Sequence, residues 1–423
     1  MSTAAMDFLV RHGMNPDRVQ PARDAVKMAE EMEKGLAGTD SSMPMIPTYL
    51  SDDGEIPLGK SAAVIDAGGT NFRRALVTFG EDGYRVEELQ KWKMPGIEKP
   101  ATWQEFISFC ADSVEPLMDR CDCIGFCFSY SADITPEIDG RVQRIDKEVV
   151  IQGCEGQLVG ASLLEELERR GITGKKIVIL NDTVAVLLGG LAAVSRGQYS
   201  GFVGQVSGTG TNTCCSLPAR RIGKLGMDSD RKIVVNLESG MYNGIPDGDF
   251  DRALDEESKN PGMKDFEKHT AGVYLGELTH LMLKAAGEEG LLSETCAERV
   301  KALGWIDSAV IDAWACGEHL EQICETEEDR DFVQTLTRAV FERSARCMCV
   351  NQAAILLLTG AGKDKPVCIC AEGSLVQKGR AYRPVLEKLI EEEIGGKLGR
   401  KAVLRISQEA TLPGSAAAAL LNT

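Results

Sequence analysis

No stretch of this sequence is apolar for the roughly 20 residues that a membrane-spanning helix needs, and only 5% of its residues are aromatic. The opening segment MSTAAMDFLVRHGMNPDRVQ lacks a basic start followed by an unbroken apolar core, so it does not read as a secretory leader. The expectation is a cytoplasmic chain whose thiols stay reduced. Positive charge is also short: 47 Lys and Arg face 64 Asp and Glu, for a net charge of −17. No Lys/Arg cluster with interleaved aromatics offsets that sign, which argues against a nucleic-acid partner. It does not argue against a nucleotide, which arrives with Mg²⁺ and meets local loops rather than the whole field.

Histidine is scarce, and His12, His269, His280 and His319 fall at no ligand spacing, so they read as satisfied surface or core residues. Cysteine is abundant at fourteen residues, but no two stand at CxxC spacing. The CxC pairs Cys121/Cys123, Cys347/Cys349 and Cys368/Cys370 alternate with apolar residues in runs such as CDCIGFCF and VCICAEG. Small core side chains in strands alternate in this way, so burial is expected over metal ligation.

A chain of 423 residues exceeds one comfortable core, so two domains are expected. Residues 21–36 place apolar side chains at helical spacing, and 38–47 break the pattern with Gly, Ser and Pro. From Ser61 the period becomes two: AAVIDAG, then FRRALVTF, then an EDG turn at 81–83 into RVEELQKWKM. A helix is expected over 102–118, a buried strand at CIGFCFSYS, a helix over 161–171 ending at Gly171, and a strand at KKIVILND feeding directly into a helix. SGFVGQVSGTGTN, CCSLPA and KIVVNLE then read as strands, 250–359 as mainly helical, and PVCICAEG and KAVLRIS as late strands. Helices follow at RPVLEKLIEEEIG and GSAAAALLNT. This alternation argues an α/β fold whose ligand sits at the carboxyl ends of the strands.

Two glycine-rich turns carry the chemistry. DAGGTNFR (Asp66 to Arg73) and SGTGTN (Ser207 to Asn212) each lie between two strand-like runs, and they bracket LNDT at 180–183. Backbone N–H groups in such turns can point at phosphate oxygens because glycine has no Cβ to block close approach or positive φ. Two of them read as a clamp on a nucleotide triphosphate, with Asp182 of LNDT a candidate for the carboxylate that takes a proton from a hydroxyl nucleophile. The competing reading of Asp182 is a helix N-cap.

The ordered set EMEKGL with MIPTYL, DAGGTNFR, GFCFSYS, LNDTVAVLL, GTGTN, VNLESGMY, NPGMKDFEK with VYLGEL, and AEGS resembles the hexokinase family of the actin-like ATPase superfamily along nearly the whole chain. The resemblance implies an α/β fold of two actin-like ATPase (ribonuclease H-like) domains, small and large, with a sugar cleft between them. It implies a division into 1–60 as an N-terminal helix and linker on the large domain, 61–182 plus the C-terminal helix 411–423 as the small domain, and 183–410 as the large one. The implied activity is ATP-dependent phosphorylation of a hexose, glucose at its 6-hydroxyl first, feeding glycolysis, with ATP and Mg²⁺ required and a homodimer allowed.

Carried over by motif, Asp182 is the base and Lys147 contacts both sugar and transferred phosphoryl group. Ser129, Asn181, Asn212, Glu238 and Glu267 contact the sugar. For Glu238 and Glu267 the alternative is a solvated surface carboxylate. Gly68, Gly69, Thr70 and Asn71 match the first phosphate loop, Gly208, Thr209 and Gly210 the second, and Gly373 with Ser374 the adenosine motif. Asp66 would hold Mg²⁺ through water, the alternative being a turn aspartate. Arg73 is either a phosphate contact or a salt-bridge partner. The chain departs from the family pattern at Ser131 (usually Pro), Asp146 (usually Thr), Lys264 (usually Gln) and Glu372 (usually Asp). The rival functional reading is a catalytically silent sugar sensor, which would gain nothing from a base at the hydroxyl or from intact phosphate loops.

Overall fold

The computed structural model describes residues 2–145 and 149–423 and resolves into two compact units. Unit 1 comprises residues up to Pro44 together with Val206–Thr213 and Leu237–Ile406; unit 2 comprises Met45–Gln205, Cys214–Asn236 and Ser407–Thr423. The sequence-expected Lys147 and its neighbour Asp146 lie outside the described residues.

Unit 2 is built on a five-stranded mixed sheet. Strand Ser61–Gly68 runs antiparallel to Asn71–Gly80, which pairs with Gly83–Lys93, and parallel to Cys123–Phe128, which pairs in turn with Lys176–Leu180. The period-two pattern read from the sequence divides the central strand between two cores. Ala63, Ile65 and Ala67 face Phe106, Ile107 and Cys110 of helix Trp103–Val114, whose start is fixed by a capping box between Thr102 and Glu105. Ala62 and Val64 face the opposite core, which holds Val184, Ala185 and Leu188 of helix Asp182–Ala192 and Leu412, Ala416 and Ala419 of helix Thr411–Asn422. Small residues let those two helices approach closely: a Cβ on Gly414 would overlap the Ala185 carbonyl.

Unit 1 is mainly helical. Helix Pro21–Ala37 begins with proline at its first turn and ends at Gly38 in the left-handed region (φ 75°), and it packs along the 33-residue helix Glu327–Thr359. Within it, strands Val367–Glu372 and Ala402–Ile406 pair in parallel in the register Val367↔Ala402. The helix expected over RPVLEKLIEEEIG is α-helical only over Arg383–Leu389 and continues as a π-helix over Ile390–Lys397.

Cysteines behave as core filler. All but the half-buried Cys316 are buried, Cys347 and Cys349 inside the long helix and Cys368 and Cys370 in a strand. Burial pushes the Cys347 thiol up to about 12.

Candidate active site

In unit 2, Asp66, Gly68, Asn71, Arg73, Ser129 and Asp182 line one cavity of about 310 Å³, together with Lys91 and Thr411. Adjacent strands deliver them. Asp66 lies two residues before the end of the central strand, and the Gly69–Thr70 turn reverses the chain into the strand carrying Asn71 and Arg73. Gly69 has φ +57°, and its carbonyl accepts from the Tyr130 hydroxyl at 2.7 Å, a prop for the turn that the sequence does not announce. Gly68 leaves a concavity: a Cβ there would sit 3.5 Å from Asp66 Oδ1 and 3.6 Å from Ser129 Oγ.

Asp182 opens its helix without capping it. The cap is Asn181, whose Oδ1 accepts from the Val184 amide at 3.0 Å. Asp182 Oδ1 instead accepts from the amide and hydroxyl of its neighbour Thr183, at 2.7 and 3.1 Å, and the side chain faces the cavity. Beneath it Cys127 is fully buried. Burial, with Asp66 and Asp182 adding negative charge nearby, pushes that thiol well above its ordinary value, so it remains neutral.

Arg73 donates to Asp66 Oδ2 from Nε at 2.8 Å and from Nη2 at 2.5 Å, with Glu409 at 3.8 Å from its other terminal nitrogen. Burial disfavours the guanidinium charge, but Asp66 and then Glu409 outweigh it and hold Arg73 above its ordinary value. The ion pair that the sequence allowed for Arg73 is therefore formed with Asp66. Lys91 stands opposite Arg73 in the strand register and has no ion-pair partner among the described residues. Its period-two position on an exposed strand gave no signal of this placement.

In unit 1 the second turn brings together another set. Asn212 donates from Nδ2 to Glu238 Oε1 at 3.0 Å and accepts from the amides of Thr213 at 2.8 Å and Ser239 at 3.3 Å. Glu238 is held in the left-handed region at φ 52°, an uncommon conformation for a glutamate and a mark of a site that fixes its side chain. Glu267 accepts from the Thr211 amide at 3.3 Å and from Lys264 Nζ at 3.1 Å, and a Cβ on Gly210 would come within 2.9 Å of its Oε1. Burial lowers the Lys264 ammonium, but Glu267 and then Glu238 raise it further, so the lysine stays charged between two carboxylates.

Also in unit 1, Gly208 lies against the adenosine-motif residues. A Cβ on it would be 3.3 Å from both Gly373 Cα and the Ser374 amide nitrogen, and Gly373 itself has φ +116°. A narrow backbone-lined cradle of this kind suits phosphate oxygens. Thr209 lies at the tip of the turn between them.

For Mg²⁺ the donor set in unit 2 fits a hard ion. Asp66, Asp182 and the Ser129 hydroxyl are oxygen donors around one cavity, and the Arg73 pair on Asp66 favours an ion held through water over direct ligation. Asp247, Asp251 and His269 also bring ligand atoms within 4.8 Å of one another. There the Arg343 guanidinium already donates to both Asp251 oxygens, at 2.9 and 2.7 Å, which makes the group an ion-pair network with no room for a second cation's charge.

Two hexokinase family models match the chain, one over residues 202–421 and the other over 10–191. Hexokinase-1 of Nicotiana tabacum is 28% identical, covering 99% of this chain and 90% of its own length. Hexokinase-1 of Saccharomyces cerevisiae is 28% identical, covering 86% and 81%. Among solved structures, a Schistosoma mansoni hexokinase complexed with glucose superposes with a TM-score of 0.76 at 21% identity over 98% of this chain and 99% of its own. A second hexokinase crystal structure gives 0.80 at 22% identity over 98% of each. By the fold expected from its strand and helix order and by these matches, the chain belongs to the hexokinase family and is an ATP-dependent hexose kinase.

Proposed function

We propose that the chain transfers the γ-phosphoryl group of MgATP to the 6-hydroxyl of a hexose, with glucose the first choice. The observation that carries this reading is the placement of Asp182 in one cavity with Asp66, Ser129 and the Gly68–Asn71 turn, while Asn181 takes over the capping. A sugar hydroxyl is a weak nucleophile, and a carboxylate aimed at it accepts the proton as the new O–P bond forms. Asn212, Glu238 and Glu267 would hold ring hydroxyls through fixed acceptors and an amide, since an unpaired polar group in a closed site costs about 1–3 kcal/mol. Asn181 keeps its amide N–H₂ for the sugar while its oxygen caps the helix, and Ser129 adds a hydroxyl.

The Gly68–Asn71 and Gly208–Gly210 turns would cradle the phosphates, with Gly373 and Ser374 at the adenosine. Mg²⁺, when bound, neutralises charge on the phosphate oxygens, and Asp66 would hold it through water. Lys91 would meet the transferred phosphoryl group as a point charge, beside the role assigned to Lys147 by resemblance. The proposed division of labour, a small domain of 61–182 with 411–423 and a large one of 183–410, differs from the compact units, which group 183–205 and 214–236 with 61–182; the protein would work on a soluble sugar in the cytoplasm.

A coupled ADP-release screen of hexoses and amino sugars with MgATP tests this. Glucose-dependent ADP release supports the reading. Saturable hexose binding without any sugar-dependent ADP release would replace it with the sugar-sensor reading. A tenfold or larger kcat/KM preference for N-acetylglucosamine, mannose or fructose would overturn glucose alone.

A further inference from the structure

Glu267 sits on helix Asp265–Thr270, six residues long and too short to hold its shape unaided. It follows a loop, 258–264, that turns left-handed twice, at Gly262 (φ 71°) and at Lys264 (φ 58°). Lys264 has a Cβ, so its conformation costs energy that the surroundings must supply. The supply is visible on the inner side of the loop. Lys268 is 4% exposed, and its ammonium spends all three donors: on the Asp255 carboxylate, on the Asn260 carbonyl at 2.9 Å and on the Met263 carbonyl at 2.8 Å. Asp255, at the end of helix Asp249–Glu257, also accepts from the Gly262 amide at 3.0 and 2.9 Å. One ion pair therefore grips the loop by two carbonyls and one amide, immediately before the residue that orients toward Glu267.

Neither side chain of this pair bonds to Asn212, Glu238 or Glu267. An ion pair with its lysine buried and its aspartate side chain 29% exposed is a poor source of stability, since desolvation and solvent screening offset most of the attraction. What apolar residues could not do is bond the backbone of a strained loop. We propose that Asp255 and Lys268 are positioning residues that lock the 258–264 loop, and through the turn at Lys264 fix Glu267 for the hexose; this rests on the hexose-kinase reading given above. The acceptor geometry at the sugar is then set from the core rather than by the sugar itself, which is the preorganisation a selective site needs.

The test uses the full chain as Lys268→Met, which keeps the stem and removes the donors, and Asp255→Asn, which keeps an acceptor for Gly262 and removes the charge. Hydrogen exchange reads the lock without any substrate. Amides of residues 258–267 should exchange at least tenfold faster in Lys268→Met, with those of helix Gly272–Glu288 unchanged. Steady-state kinetics should show hexose KM raised tenfold or more, kcat and the KM for ATP within about threefold, and Asp255→Asn in between. Parent-like exchange in the loop would overturn the lock whatever the substrate. Faster exchange with an unmoved hexose KM, or equal losses in kcat and both KM values, would reduce the pair to a purely structural role and overturn the positioning claim. If Lys268→Met does not fold, Asp255→Asn decides by the same two readouts. A parent that phosphorylates no hexose refutes the functional reading, while the exchange result still decides the lock.

Discussion

Arg73 directs two of its N–H groups onto a single oxygen of Asp66, at 2.8 and 2.5 Å, with the Asp66 side chain 9% exposed and that of Arg73 22%. The carboxylate proposed to serve Mg²⁺ is thus already matched by a fixed positive charge. Arg73→Met strands it. Removing one member of a fully buried pair costs 3–5 kcal/mol, and partial solvent access reduces that here to about 2 kcal/mol. Denaturant unfolding of the variant should show that loss, and saturating MgATP should recover a larger share of stability in the variant than in the parent, because the cation replaces the missing guanidinium. Equal stabilisation of both proteins by MgATP would remove Asp66 from the metal's surroundings.

Asp182→Ala is expected to lower kcat by 10² or more while calorimetry still detects the hexose, since a base acts in the reaction step more than in the ground state. Turnover within about tenfold of the parent would strike Asp182 from the catalytic role.

Lys91 has no ion-pair partner among the described residues, so its loss should be felt by phosphate and not by sugar. Lys91→Met should raise the KM for ATP or lower kcat by tenfold or more, with hexose affinity and folding stability unchanged. A shift confined to hexose affinity would place the lysine elsewhere in the reaction.

Glu238 combines a left-handed backbone with a side chain anchored to Asn212. Asparagine tolerates that backbone better than glutamate but is too short to make the same contact. Glu238→Asn should therefore leave stability unchanged or raise it by about 0.5–1 kcal/mol while raising the hexose KM tenfold or more. Loss of stability alongside loss of affinity would mean that the carboxylate is structural.

His269 is buried, 3.0 Å from an Asp247 oxygen and 3.4 Å from Asp251. Burial lowers its affinity for a proton, but Asp251 and Asp247 more than compensate, and the folded-state value is raised. A raised value means the contribution is fully present below the unfolded value near pH 6.5 and disappears as pH climbs through the folded one. Asp251 is the opposite case: burial pushes its carboxyl up, yet Arg343 and His269 hold it well below the ordinary range, so its contribution is present above about pH 4 and lost on acidification. The parent should lose stability as pH rises above about 6.5, and His269→Gln should flatten that slope. Identical slopes in the two proteins would show that the imidazole does not change its charge there.

Much of this arrangement was readable in the residues because it is local. The turn at Gly69 and the strands around it follow from period two and a glycine pair, and the division of Ala62/Val64 from Ala63/Ile65 is the same alternation seen from its two sides. What the sequence concealed depends on partners far away in the chain. Tyr130 gave no sign that its hydroxyl would brace the Gly69 carbonyl, nor Arg343 that it would meet Asp251 across 92 positions. Lys91 looked like any solvated strand lysine because register with Arg73, rather than composition, puts it at the cavity. Helix Thr3–Arg11 was missed because its apolar residues read only as the absence of a leader.

Helix Thr411–Asn422 lies against helix Asp182–Ala192 and the central strands of unit 2, yet all of unit 1's long segment Leu237–Ile406 is encoded between them. A ribosome therefore finishes most of unit 1 before it has made the piece that seals the Asp182 side of unit 2. During synthesis the apolar faces of Val64, Ala185 and Leu188 wait uncovered, and loop closure over so long a separation is slow. The interval in which this chain is most exposed to aggregation is thus set by the reading order of its gene, and the half that carries Asp182 is the half that bears it.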